Sequence, residues 1–369
     1  MIPLTKPYFS AKNIKKISNS ISGILKSGRL MMGPWNEKFE KNFSKIIGSK
    51  YSISTNSCTT ATQIALEYYK VKGFDVMIPS GSFQSGISAI KWAGANPILV
   101  DMNPQTLSFS IEDLKKKITR KTKGIIWVHV TGVISSEYKK ILQFAKSKNL
   151  FIIEDCAHAL GSSIDKKKAG TIGDVGVFSF FPSKIMSTGS GGMMTTNDKS
   201  LAEFTMKMRI FGRNLNKPGV SLEGNDWFMD EFRACVGYHQ LLDFKNNLKR
   251  RKAIAKMYDK AFKNHNKIRI IKLSKNNISS YYQYPVFLNL SINRNEIIFK
   301  LKNKHKISTK RIWLPTHQEK IFQNIKFDRK TLLETEKTFD SSLCLPIFYS
   351  LKDKEVKKII NSLILEVNG

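Results

Sequence analysis

The chain has 369 residues, 41% hydrophobic and 24% charged, the balance of a soluble globular protein with room for about two domains. The formal net charge of +32 is spread as lysines through "KKKITRKTK", "DKKKAG", "NNLKRRK" and "KNKHK" with no helix-turn-helix, RNP or zinc-finger pattern, which argues against a dedicated nucleic-acid binder and leaves a basic field suited to a small polyanionic substrate. Cys58, Cys156, Cys235 and Cys344 form no CxxC pair, so neither a structural zinc nor a disulfide framework is expected, and the usage suits a reducing cytoplasm.

The start, "MIPLTKPYFSAKNIKK", has no apolar h-region and reads as no secretory signal. From residue 50 to about 200, short β-rich runs alternate with helical patterns. "YSIST" precedes "TATQIALEYYK", "DVMIPS" precedes "QSGISAIKWAG", and "PILVD" precedes "IEDLKKKI". "GIIWVHV" then precedes "EYKKILQFAKSKN", "FIIED" follows, and "DVGVFSF" and "GGMMTT" add two strands. Near-continuous apolar strands separated by helices predict βαβ units on a buried, largely parallel sheet. The longest apolar stretch, "GIIWVHVTGVI" from Gly124, is too short to span a bilayer. The segment "MDEFRACVGYHQLLDFKNNLKRRKAIAKMYDKAFKNH" reads as one or two long helices bridging to a second domain. "YYQYPVFLNL", a helical "RNEIIFKLKNK" and a final "DKEVKKIINSLILEV" predict a small α+β domain there.

Five stretches carry candidate chemistry. "FIIEDCAHALG" ends a strand at Glu154-Asp155, placing carboxylates at the sheet edge where open α/β folds bind ligands. By itself the pair fits a solvated strand-end acid or an N-cap, and His158 a satisfied core histidine. "STNSCTTATQIAL" runs from strand to helix through hydroxyl residues, an anion site at a helix N-terminus or simple capping by Ser57 or Thr59. It lacks the glycines and the Lys-Ser/Thr pair of a P-loop. "IPSGSFQSG" puts Phe83 among small residues, as a stacking aromatic or as core. "GTIGDVG" lies between strands and opens no helix, which rules out a dinucleotide fingerprint. "FSFFPSKIMSTGSGG" sets Lys184 between an aromatic-rich strand and a glycine cluster, as a reactive amine or a surface charge. In order, these give an anion site, an aromatic, an acid and a lysine. A cofactor with a phosphate, a flat ring, a basic ring nitrogen and an aldehyde needs those four partners, and pyridoxal phosphate has those features.

On these motifs the chain resembles the DegT/DnrJ/EryC1/StrS family of pyridoxal-phosphate-dependent sugar aminotransferases nearly end to end. "GRLMMGPWNEKFEKNF", "IEDCAHALGS", "AGTIGDVGVFSFFPSKIMSTGSGGMMTTND" and "LCLPIF" followed by "DKEV" carry the likeness. The resemblance implies an α/β fold of type I (aspartate aminotransferase-like). Its large domain would hold a mostly parallel seven-stranded sheet and its small C-terminal domain would be α+β. The boundary is expected near residues 245–246, with about the first 25 residues packing on the small domain. By resemblance Lys184 is the Schiff-base lysine, Asp155 the acid paired with the pyridine nitrogen, and His158 the residue beside the ring. Phe83 is the stacked aromatic, and Cys58, Thr59 and Ser179 fall at phosphate contacts. Gly189, Gly191 and Gly192 would let the backbone turn beside the lysine.

Departures from the family pattern are equally specific. Cys58 replaces the glycine of a Ser-Gly-Thr turn, Thr62 a usual leucine, and Ser190 a common glutamate. In "GNDWFMDEFRACVG" Asp226 stands for Asn and Phe228 for Arg in a segment that reaches the partner subunit's site, unless Asn225 substitutes by a one-residue shift. His317 in "WLPTHQ" matches a histidine at the substrate mouth or is a plain surface histidine. The function implied is a ping-pong aldimine and pyridoxamine exchange that moves an amino group from an amino acid, by analogy L-glutamate, to a nucleotide-linked keto-sugar. It belongs to amino-sugar biosynthesis of the kind that feeds cell-surface polysaccharide, with a cytoplasmic homodimer expected. The rivals are a cofactor-dependent sugar dehydratase, which carries His at the lysine position, and a non-catalytic regulatory or binding member of the fold.

Overall fold

The structure is a computed structural model and describes residues 1–214, 217–322, 324–325 and 331–369. Seven strands build its centre: β1 (Tyr51–Thr55), β2 (Asp75–Pro79), β3 (Asn96–Val100), β4 (Thr122–Val128), β5 (Phe151–Asp155), β6 (Val175–Ser179) and β7 (Gly192–Thr196). Their order across the sheet is β1-β7-β6-β5-β4-β2-β3. β7 runs antiparallel to β1 and β6, and the other pairings are parallel. Neighbouring residues on a strand enter different cores: Met77, Ile125 and Ile152 pack on one face, and Ile78, Ile126 and Ile153 on the other. Burial on both faces is why these strands read as continuous apolar runs rather than alternating ones.

Helices α1 (Ala11–Ser27) and α2 (Pro34–Ile47) precede the sheet. The helices α3 (Cys58–Tyr68), α4 (Gln84–Trp92), α5 (Ile111–Lys117) and α6 (Tyr138–Ser147) follow β1 to β4, and α7 (Lys199–Met208) follows β7. The Gly33-Pro34 pair opens α2 with Gly33 as N-cap and Pro at the first helical position. The buried Glu231 carboxylate accepts from the backbone N–H groups of Gly33, Trp35 and Asn36, supplying the acceptor that the capping glycine lacks.

The predicted bridge is one unbroken helix, α8 (Glu231–Phe262), capped by Asp230, whose side chain accepts from Arg233 N. Its C-terminal half carries Ile254, Tyr258 and Phe262 into a third core. That core packs on an antiparallel sheet of β8 (Ile268–Ile270), β9 (Tyr284–Leu288) and β10 (Ser342–Leu345), in the order β8-β9-β10. Helices α9 (Arg294–Asn303), α10 (Leu333–Ser341) and α11 (Asp353–Asn368) complete it. Ile2 belongs to this third core and forms a bridge with Ile307, so the chain's first residues lie beside its last third. No helix among the described residues is long and apolar enough to cross a membrane.

Candidate active site

The C-terminal ends of β1, β4, β5 and β6 open on one pocket of about 450 Å³, where a parallel sheet presents its loops. At one end α3 begins. Ser57 caps it, its Oγ accepting from Thr60 N at 3.1 Å, and Cys58 and Thr59 line the pocket at the first turn. Backbone N–H groups with no intrahelical acceptor gather there and favour an anion. Gly192 at the start of β7 makes this approach possible, because a Cβ would sit 2.3 Å from the Ser57 carbonyl carbon and 2.5 Å from Cys58 N. Ser190, on the neighbouring turn, donates to Asn56 O at 3.1 Å and ties the glycine loop to the same corner.

Asp155, at the end of β5, is half-buried and lines the pocket. Its Oδ1 accepts from Ala157 N at 3.0 Å, and its carboxylate has no other hydrogen bond among the described residues. Burial pushes its pKa up, against the lowering effects of the Ala157 N–H, Lys184 and His129. A half-paired carboxylate that is costly to ionise suits a cationic N–H donor entering the pocket. His158 is buried, and its pKa is pushed well below the ordinary imidazole value by burial, then by Lys184 and Lys310, so it is neutral at neutral pH. Its ring stacks on Tyr282 at 4.1 Å between centroids. Phe83 stays 48% exposed, and Trp313 stands edge-on to it at 6.2 Å.

Lys184 follows β6 in a tight turn, its backbone N–H donating to Phe181 O at 2.9 Å. Its Nζ lies 4.7 Å from the Tyr282 ring centroid, and no carboxylate pairs with it among the described residues. Gly189, at φ +81°, closes the loop in a conformation that favours glycine. Helix α8 braces both sides of the amine. Asn247 Nδ2 donates to Ile185 O at 2.9 Å, and Arg251, one turn on, donates to Tyr281 O at 2.9 Å. Arg251 has no carboxylate partner among the described residues, and burial lowers its pKa to about 10.

Cys58, Thr59, Phe83, Asp155, His158, Ser179 and Lys184 therefore line one pocket. The Cys58 thiol is pushed up by burial and by Asp155, so it is no thiolate at neutral pH. Asn225, Asp226 and His317 do not line this pocket. Asn225 Oδ1 accepts from Asp226 N at 2.8 Å, and the Asp226 carbonyl accepts from Asn56 Nδ2, which sets that loop beside the α3 corner. His317 is buried, with Nε2 3.0 Å from Glu336 Oε1, so it is neither a surface residue nor at the mouth of this pocket. Lining residues absent from the sequence expectations include Tyr282, Gln283, Lys310 and Trp313. They come from distant segments, and only folding brings them to the sheet edge.

A helix N-terminus that favours an anion, a lysine with no carboxylate partner among the described residues, a half-paired and half-buried acid and an exposed aromatic fit pyridoxal phosphate, and with the strand order they define a fold-type I pyridoxal-phosphate transferase. The chain belongs to the DegT/DnrJ/EryC1/StrS aminotransferase family, whose profile matches residues 12–364. It is 30% identical over 364 residues to the GDP-perosamine synthase of Escherichia coli O157:H7, covering 98% of this chain and 97% of that one. The aminotransferase TlmJ from Streptoalloteichus hindustanus superposes with a TM-score of 0.91 at 27% identity, covering 100% and 99% of the two chains. The PLP form of the sugar aminotransferase Spr1654 from Streptococcus pneumoniae gives 0.91 at 25% identity, over 100% of this chain and 98% of that one. Pyridoxal phosphate is the cofactor of this family, and sugar transamination is its chemistry.

Proposed function

We propose that the chain transfers an amino group from L-glutamate to a nucleotide-linked keto-sugar in two half-reactions at one site, as a cytoplasmic homodimer. The observation that carries this reading is Lys184, an amine with no carboxylate partner among the described residues, in the same pocket as Asp155 and the N-terminus of α3. When bound, pyridoxal phosphate supplies a carbonyl carbon for amines and a ring that accepts electrons. Lys184 Nζ would hold the cofactor, and the same Nζ would be the base that takes the proton from the donor's Cα. Asp155 offers its second carboxylate oxygen to the ring nitrogen, and burial makes each charge depend on the other. Neutral His158 would adjoin the ring without adding positive charge, and Phe83 would offer it an exposed face. The first turn of α3 (Cys58, Thr59) and the Ser179 hydroxyl hold the phosphate.

The acceptor class is supported by the relative named for a GDP-linked product and by the net charge of +32, which draws in a diphosphate. In the same reading, residues 1–245 form the cofactor-binding domain and 246–369 the small domain. The Asn225–Asp226 loop, beside the α3 corner, then reaches the partner's site. Lys184 stands where dehydratase relatives carry His, which favours transamination. A regulatory reading draws on Phe228, which is no cation where the family uses one.

The test is the visible spectrum of the purified protein before and after L-glutamate, with Lys184→Ala alongside. A visible band that bleaches with glutamate, and is absent or unresponsive in the variant, supports the donor half-reaction. A protein that takes up no pyridoxal phosphate, even when it is added, sinks the reading.

A further inference from the structure

Tyr282 lines the pocket and touches both His158 and Lys184. Its ring stacks on the His158 ring at 4.1 Å between centroids and 16° between planes, and Lys184 Nζ stands over it at 4.7 Å. Its hydroxyl is 3.1 Å from Ser183 Oγ, one residue before the lysine. Tyr282 is not among the proposed cofactor contacts.

The segment that carries this ring is fixed from several sides. Ser279 Oγ donates to Gly132 O at 3.1 Å, and Ser280 Oγ to His158 O at 2.6 Å. Tyr281 is left-handed at φ +51°, a conformation that persists only where the surroundings hold it. Its N–H donates to Ser279 Oγ at 3.0 Å, and Arg251 donates to the carbonyls of Tyr281 and Tyr282 at 2.9 and 3.3 Å. Arg251 Nε also donates to Asn247 Oδ1 at 3.1 Å, and Asn247 Nδ2 donates to Ile185 O. One turn of α8 therefore ties the backbone of Tyr282 to the turn that carries Lys184.

A lysine amine ends a flexible four-carbon stem, and a carboxylate partner would fix it but hold its proton. An aromatic face attracts an ammonium through the ring quadrupole and takes no proton from it. In the reading above, Nζ takes a proton from the donor's Cα, the electron pair remaining on the substrate side, and the amine becomes an ammonium. A ring face already under Nζ stabilises that charge as it forms. It also keeps the ammonium from the Asp155 carboxylate in the same pocket, which the proposed ring nitrogen needs.

We propose that Tyr282 is a positioning residue, whose ring holds Lys184 Nζ for the proton step and stabilises the ammonium that the step forms. The inference rests on the transaminase reading above.

The experiment compares wild type, Tyr282→Leu and Tyr282→Phe. In the apoprotein, trace acetic anhydride at one fixed pH labels the lysines, and mass spectrometry reads the rate at Lys184. Loss of the ring face speeds that labelling about 2- to 10-fold in Tyr282→Leu. In the holoenzyme, bleaching of the visible band by L-glutamate is followed by stopped flow, with α-deuterated glutamate alongside. The rate at saturating glutamate falls about 10- to 100-fold in Tyr282→Leu, while half-saturation stays within about threefold. Deuterium slows this variant at least as much as the wild type, which places the loss on the proton step. Tyr282→Phe keeps the ring and restores most of both readouts. A raised half-saturation with the rate and labelling unchanged would make Tyr282 a plain wall of the pocket and overturn the assignment. So would a Tyr282→Phe as slow as Tyr282→Leu, because the hydroxyl and not the ring would then carry the effect. Either result leaves the transaminase reading intact. A wild-type band that glutamate fails to bleach overturns both.

Discussion

Glu154 and Asp155 are adjacent at the end of β5, yet they serve opposite sides of the sheet. Glu154 Oε1 accepts from the backbone N–H groups of Ile172 and Gly173 at 2.6 and 2.7 Å, and its Oε2 from Gly170 N at 3.0 Å and His129 Nε2 at 2.9 Å. Asp155 keeps a single hydrogen bond and lines the pocket. The pleat makes this division, because successive side chains leave a strand on opposite faces. One acid is saturated with donors and structural; the other is left half-paired for a ligand.

Glu154→Ala should therefore be a stability variant. It strands three backbone donors, one buried and two part-buried, together with the buried His129, and removal of one partner from such a network costs about 3–5 kcal/mol. Chemical denaturation of the apoprotein reads this directly, and Glu154→Gln, which keeps one carbonyl acceptor, should lose less. A variant as stable as wild type would show that the "AGTIGDVG" turn holds itself.

Asp155→Asn should separate stability from function. Burial holds the folded Asp155 pKa above its ordinary value of 3.8, so the folded apoprotein binds that proton more tightly than the unfolded chain. This group's contribution to apoprotein stability is full below that value and is lost as pH rises through the raised one. At neutral pH the ionised carboxylate is a cost, which the amide removes while still accepting from Ala157 N. The apoprotein variant should melt at or above the wild-type temperature near pH 7. Its transamination rate should fall about 10²- to 10³-fold, since a neutral amide cannot counter a protonated ring nitrogen. A large drop in apoprotein melting temperature would contradict the assignment.

His158 makes the opposite linkage. Its folded pKa lies well below the ordinary imidazole value of about 6.5, so the unfolded chain takes the proton first as pH falls. Its contribution is present above that value and drains away as pH drops toward the folded one. The apoprotein should lose melting temperature as pH falls below about 6.5. His158→Gln should flatten that slope without changing the value at pH 8. An identical slope in the variant would assign the acid sensitivity to another group.

The sheet and the residues at its strand ends were legible because their signals are local. A buried parallel strand announces itself by composition, and "FIIED" or "VFSFFPSK" places its terminal side chain within a residue or two. Tyr282, Lys310 and Trp313 were not legible, because they sit on connections from the third core and reach the pocket only through tertiary packing. His317 shows the converse. A motif match points to a histidine at the substrate mouth, and in the structure His317 is buried beside Glu336 and is not among the residues lining this pocket. Glycines were ambiguous too, since spacing alone does not distinguish a tight turn at Gly189 from a close approach at Gly192.

Gly192→Ala tests the close approach. Its backbone needs no left-handed conformation, so any effect comes from the added methyl group rather than from strain at φ. That methyl would lie 2.3 Å from the Ser57 carbonyl carbon and 2.5 Å from Cys58 N, both backbone atoms that no rotamer change relieves. Either β7 or the first turn of α3 must move, and overpacking of this kind typically costs about 1–3 kcal/mol. Because the displaced N–H groups are the proposed phosphate site, the same shift should weaken pyridoxal phosphate binding by about 10- to 100-fold. Gly23→Ala is the control. It lies in α1 with nothing within 4 Å of the added carbon, and it should leave cofactor affinity unchanged while slightly stabilising the helix. Cofactor titration by fluorescence separates the two variants. Equal affinities would mean that the phosphate is held by side chains such as Ser179, and not by the N-terminus of α3.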